Sequence, residues 1–237
     1  MVRGPATLLG LAAGALFYFV IAPVLPAVRP IDLAVFVAAA AGLAFVVALA
    51  VAPAPAVSTP VTIALVVPGS GLLVAALNAA KAGAAASPFE ALLFGCLGVA
   101  FAALFDAAAL AIALPVFAGV LDVSGVLGDG PGNLLLQDAR PGDPLTLELP
   151  AWGGGLPVAR VTIVEVLFLA AYTAYAYRFR LRPVASAVAM YAALVATVGA
   201  GLLLDRRIPA LAVMGAAFLA TNADRLWRVL SPARRAE

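Results

Sequence analysis

An all-α, polytopic helical membrane protein of about seven transmembrane helices, with eight as the alternative, is what this sequence predicts. Three observations predict it. Hydrophobic residues make up 65% of the 237 and charged residues 11%, against about 25% charged in an ordinary soluble domain, and mean hydropathy is +1.12. Apolar runs close to the ~20 residues that cross a bilayer core recur along the chain. They are interrupted by one long polar stretch, Asp122 to Arg160, which carries Asp122, Asp129, Asp138, Asp143 and Glu148 against Arg140 and Arg160. Its charges and irregular backbone would lack partners in lipid, so it belongs in water on one side of the membrane.

The first apolar run, Ala6–Val28, is long enough to span. It follows Arg3 as a signal peptide would, but it exceeds an ordinary h-region and no A-x-A site follows it before Arg29, so retention is expected. Gly10 and Gly14 form a GxxxG pair of the kind that lets helices approach closely. Arg29-Pro30-Ile31-Asp32 turns the chain into a second span, Leu33–Ala52, and a proline-rich, uncharged connection leads to a third, Val61–Ala80. Pro68-Gly69-Ser70-Gly71 falls inside that third run. Proline removes a helix hydrogen bond and glycine permits a bend, so a kinked or discontinuous helix is expected there.

Ser87-Pro88-Phe89-Glu90 has the capping-box pattern of a helix start. Apolar sequence then continues to Leu121, a length of ~50 Å as one straight helix. A turn near Asp106 would divide it, but FDAAAL offers no glycine or proline to make one. One long span to about Leu114, a bend at Pro115 and an interfacial continuation to Asp122 are therefore expected. Farther on, Leu145, Leu147 and Leu149 alternate with Thr146 and Glu148, a strand period, and Trp152 and Gly153-Gly154-Gly155 follow. A small β-hairpin lying on the outer surface is expected, with Trp152 at the headgroups. The remaining spans are Val161–Tyr177, Pro183–Leu204 and Ile208 to about Ala220. The chain so divides into an N-terminal membrane bundle (1–121), a polar extracytoplasmic loop (122–160), a C-terminal membrane bundle (161–222) and a basic cytoplasmic tail (223–237).

Arginine collects on the cytoplasmic side of membranes. Arg178, Arg180 and Arg182, with Arg225, Arg228, Arg234 and Arg235 of the tail, mark that side, and the acidic loop faces outward. A seven-span layout then puts the amino terminus outside a cell membrane, with Arg3 and Asp205-Arg206-Arg207 as exceptions; eight spans with the amino terminus inside is the alternative.

There is no histidine, which excludes histidine-ligated haem and zinc, His-based acid–base catalysis and Ser-His-Asp triads. Cys96 is the single cysteine, so neither an intrachain disulfide nor a Cys-rich metal site forms. The net charge is +2 and the arginines gather at segment ends, which argues against a nucleic-acid partner. The last apolar segment lacks the lysine a rhodopsin would need, and GDGPGN has no Gly-Lys-Ser/Thr after it to make a Walker loop. No catalytic set, metal site or cofactor is assigned, and the balance is against an enzyme.

Asp106 carries the functional expectation. Ala91, Gly95, Gly98, Ala102, Asp106, Ala109 and Ala113 would share one helical face, and small residues mark the close-packing side of a membrane helix. Asp106 is therefore expected to point into the bundle, where an ionisable group is functional by default. Glu165, inside the start of the fifth span, is expected at comparable depth with Arg160, Arg206 and Arg207 near the same face, as a relay or an ion-pair network. Asn78 and Lys81 end the third span at the inner side. Phe105-Asp106, Leu127-Gly128-Asp129 and Pro209-Ala210-Leu211 resemble, in order, the Tyr-Asp, Gly-x-Gly-Asp and Pro-Ala-Leu of presenilin-like intramembrane aspartyl proteases. The second fragment lacks the first glycine and lies in the polar stretch, so no protease is assigned. The expectation is a proton- or cation-linked transporter or channel-like protein using Asp106, Glu165 and Pro68, Gly69, Ser70 and Gly71. The alternative is a non-catalytic membrane subunit that assembles with a membrane-protein partner or with itself. In either case the lipid bilayer is a partner.

Overall fold

The computed structural model describes residues 5–26, 31–58, 60–127, 145–204 and 206–230. Asp129, Asp138, Arg140 and Asp143 lie outside them, as do Asp205 and the last residues of the tail. In so apolar a chain the backbone is the main polar group to satisfy, and the helix satisfies it internally. Eight α-helices form among the described residues: α1 (Pro5–Ile21), α2 (Ile31–Val51), α3 (Pro60–Ala79), α4 (Ser87–Leu104), α5 (Leu110–Leu127), α6 (Ile163–Arg178), α7 (Pro183–Leu204) and α8 (Ala210–Leu230). Two short strands, β1 (Thr146–Leu149) and β2 (Ala159–Thr162), pair antiparallel before α6, Thr146 opposite Thr162 and Leu149 opposite Ala159. The all-α class holds. Four helical stretches are long and apolar enough to cross a membrane, Thr7–Val24, Leu33–Ala56, Gly83–Leu104 and Pro183–Leu204, and Val67–Ala79 and Leu110–Val126 are shorter apolar helices.

The run from Glu90 to Leu121 is not one long helix. It divides after Leu104, and α5 begins at Leu110. No glycine or proline makes the turn. Phe105 leaves the helical region at φ −103°, ψ 69°, while its N–H still reaches the Phe101 carbonyl at 3.0 Å. Two contacts from α6 hold the turn. The Tyr175 hydroxyl donates to the Phe105 carbonyl at 3.0 Å, and Arg178 grips the Asp106 carboxylate through both Nε and a terminal nitrogen. Pro115 lies inside α5, which runs on to Leu127, so Asp122 is a helical residue rather than the first of a loop.

The discontinuity allowed for at Pro68–Gly71 is absent: α3 is helical from Pro60 to Ala79 with Pro68 inside it. Proline forfeits one rung of the ladder, that of the carbonyl four residues back, and the helix continues through it. Ser87 and Glu90 do begin a helix, though without a capping bond. Ser87 Oγ instead accepts the Glu148 N–H at 2.9 Å, and Glu90 accepts from Asn78 at 3.3 Å.

The most extensive helix contact is between α4 and α6, which run parallel. Ser87 meets β1 at their starts, and Asp106 meets Arg178 at their ends. The buried face of Ala91, Gly95, Gly98 and Ala102 makes the approach close, as its small residues predict. A Cβ built on Gly98 would stand 2.2 Å from the Leu167 carbonyl oxygen, and one on Gly95 2.6 Å from that of Ala50. Gly10 and Gly14, by contrast, have nothing within 4 Å. Tyr172 stacks between Phe168 and Phe218, at 5.7 and 5.3 Å, in the centre of the core.

The hairpin forms where the alternation places it, but it is inserted in the bundle end rather than laid on a surface. All four β1 residues are buried. Leu149 packs against Gly42 of α2, and Glu148, on the other face, pairs with Arg160 of β2 at 3.6 Å. Trp152 donates its indole N–H to the Tyr18 hydroxyl at 3.3 Å.

Candidate functional site

Beside the hairpin α6 and α8 start close to the end of α5, and each start needs acceptors for its unpaired N–H groups. At α6 the sequence supplies them locally. Thr162 accepts the Glu165 N–H at 3.3 Å, and Glu165 Oε2 accepts the Thr162 N–H at 2.7 Å, a reciprocal capping box. At α8 the chain arrives through Ile208 and Pro209, neither of which can cap. The acceptor comes from α5: Asp122 Oδ2 takes the Leu211 N–H at 2.7 Å and the Ala212 N–H at 3.3 Å. Both carboxylates therefore sit at positive helix ends, where the macrodipole favours a negative charge.

α5 leans on α8 and hardly touches α6. The gap is a cavity of about 830 Å³ between α5, α6, α7 and α8. Its floor is apolar, with Leu43, Phe168, Leu194 and Val198, and its polar side holds Asp122, Arg160, Glu165, Arg206 and Arg207. Arg206 and Arg207 are exposed in the α7–α8 connection. Volume and lining match small-molecule sites, which are mostly apolar, ~300–1,000 Å³, with a few placed polar groups.

Of the predicted site residues, Glu165 is in this cavity, together with Arg160, Arg206 and Arg207. Asp106 is not. It lies beyond the end of α4, at the opposite end of α6 from Glu165, in an ion pair with Arg178 in which the side chains are 41% and 38% exposed. The helical face that would have carried it inward stops at Leu104. Pro68, Gly69, Ser70 and Gly71 stay on α3 and line no part of the cavity. Asn78 and Lys81 fall near the hairpin, since α4 begins there. Asp122 is the residue that sequence reasoning misplaced. The signal that could have found it is the α8 start itself, two N–H groups following Pro209 with no cap in the local sequence.

The other end of the C-terminal helices is a structural latch. Buried Asn222 accepts the Arg182 N–H at 2.9 Å and donates to Ser186 Oγ at 2.7 Å and the Phe218 carbonyl at 2.9 Å. Arg182 forks onto Asp224 at 2.8 and 3.0 Å, and Arg225 donates to the Arg180 and Leu181 carbonyls. Desolvation pushes the Asp224 carboxyl up, but the Arg182 hydrogen bond and charge, with Arg228 nearby, outweigh it and hold it below its ordinary value.

No protein-family model, curated protein or solved structure matches this chain.

Proposed function

We propose that this chain is an eight-span membrane protein, with both termini cytoplasmic and the hairpin end outside, that holds a ligand in the cavity between α5, α6, α7 and α8. The cavity carries the reading: it combines an apolar interior with a compact charged rim at one end of an otherwise apolar bundle. The orientation rests on arginine. The end with the α4–α5 and α6–α7 turns carries Arg178, Arg180, Arg182, Arg225 and Arg228, and Arg3, Arg234 and Arg235 flank helices that begin or finish there.

Single-cysteine labelling in a Cys96→Ala background tests the orientation. A cysteine at Ser124 should react from outside and one at Arg180 from the cytoplasm; the reverse pattern sinks it. For the site, protein purified in mild detergent should retain a stoichiometric small molecule or lipid, detected by mass spectrometry after denaturation. Thr197→Trp, which fills the cavity, should lose it, and equal retention by both proteins would exclude the cavity as its place.

A second, proton-linked reading rests on Asp122 and Glu165, because these two carboxyls line one cavity. It predicts that Asp122→Asn with Glu165→Gln abolishes pH-driven flux in vesicles.

A further inference from the structure

We infer that the ligand of this cavity is a phosphate-headed lipid from the leaflet on the hairpin side, with its headgroup at Arg206 and Arg207 and its chain on the apolar floor. The inference rests on the cavity being a ligand site, and it specifies what that ligand is.

The charge of the rim decides the sign of the headgroup. Three guanidiniums and two carboxylates line the cavity, but the carboxylates are already committed. Asp122 accepts two N–H groups at the start of α8, and Glu165 closes the capping box of α6. A cation would have to take these oxygens from helix ends whose dipoles also repel it. An anion meets guanidiniums that face the same space and leaves both helix caps in place. Arg160 is tied to Glu148 at 3.6 Å, which offsets its charge, so the headgroup contact falls to the other two guanidiniums. Arg206 and Arg207 stand at the exposed edge, where their forked donors suit the oxygens of a phosphate.

The floor decides that the anion carries a chain. Leu43, Phe168, Leu194 and Val198 offer a free phosphate nothing, and apolar surface left in water is unfavourable. An acyl chain would bury it. The walls also indicate the route. Phe117 and Leu121 of α5 and Val164 of α6 line the cavity yet are exposed, on the two helices that hardly touch. In a membrane such side chains face lipid, so the cavity is continuous with the bilayer and the chain need not cross water.

The test is native mass spectrometry of the delipidated protein titrated with three probes: dioleoyl phosphatidic acid, dioleoyl phosphatidylcholine and inorganic phosphate. One phosphatidic acid should bind per chain, more tightly than the phosphatidylcholine with identical tails. Arg206→Gln with Arg207→Gln should weaken phosphatidic acid by about tenfold or more, the scale of one lost charge-assisted hydrogen bond, and weaken phosphatidylcholine less. Thr197→Trp should remove the bound lipid, with circular dichroism confirming the fold of each variant. Should the double variant fail to fold, Arg206→Gln and Arg207→Gln singly make the same comparison. Equal binding of the two lipids, unchanged by the arginine variants but lost in Thr197→Trp, overturns the headgroup assignment and keeps the cavity as the site. Lipid binding untouched by Thr197→Trp overturns the site itself. Displacement of phosphatidic acid by an equal concentration of inorganic phosphate would mean a free anion and no lipid.

Discussion

Replacing Gly98 by alanine adds one methyl group at the point where α4 and α6 are closest. The new Cβ would fall 2.2 Å from the Leu167 carbonyl oxygen and 2.9 Å from the Ala170 Cβ. Ordinary contact needs about 3.5 Å or more, so the first clash is short by more than an ångström. Its partner is backbone, which cannot rotate away as a side chain could. α4 must therefore move bodily from α6, and the shift strains the turn at its end, where Tyr175 and Arg178 hold Phe105 and Asp106. Overpacking of this kind costs about 1–3 kcal/mol. In a chain of this size that corresponds to a melting temperature lower by roughly 3–10 °C. The assay is thermal unfolding in detergent, followed by fluorescence-detected size exclusion, with Gly10→Ala and Gly14→Ala as controls because nothing lies within 4 Å of either. If Gly98→Ala melts with wild type while the controls fall, the close face has been wrongly assigned to α4.

Asp106→Asn should cost less than about 1 kcal/mol in the same assay, because an ion pair this exposed is worth little; a larger loss would show a buried role. Asn222→Leu should cost more, about 1–3 kcal/mol, since it strands the Arg182 N–H and Ser186 beside a buried apolar group, and a melt unchanged from wild type would refute the latch. The Asp224 carboxyl is held below its unfolded value, so its contribution is complete above about pH 4 and is lost as pH falls through the lower folded value. Asp224→Asn should accordingly flatten the acid limb of a stability–pH profile, and an identical limb would count against the pairing. Asp122→Ala should cost about 1–3 kcal/mol by leaving the Leu211 and Ala212 N–H groups without their acceptor, and Asp122→Asn, which keeps an acceptor, should recover most of it.

Composition alone made the helical class legible, because a chain this apolar has few other ways to satisfy its backbone. The hairpin was legible from its alternation, and the close face of α4 from its small residues. What was not legible depends on distant partners. The turn at Asp106 has no local breaker and is held by residues of α6 seventy and seventy-two positions on. The two Ser/Thr-x-x-Glu patterns show the same limit. At Thr162 and Glu165 the pattern makes its capping box, while at Ser87 and Glu90 both side chains are drawn to Glu148 and Asn78 instead. Burial of the hairpin likewise depends on Gly42, whose missing side chain leaves room for Leu149.

The division at Asp106 has consequences far from the turn, because one added reversal inverts every earlier helix relative to every later one. As a single span, residues 87–121 would bring α4 and α6 antiparallel and set Asp106 at the depth of Glu165. Divided, α4 and α6 run parallel, and the two carboxylates part to opposite ends of α6. The same reversal brings Asn78, Glu90 and Lys81 to the hairpin end. It also moves the start of α1 to the end that carries Arg178 and Arg225, so in the proposed orientation Arg3 is no longer an exception to the positive-inside rule, while Arg29 and Lys81 become exceptions. Arg206 and Arg207 remain exceptions under either count, since the α7–α8 connection lies at the hairpin end in both. Two arginines kept on the side that topology disfavours call for a local cause, and the cavity they border supplies one: they are the charges an anionic headgroup would need there.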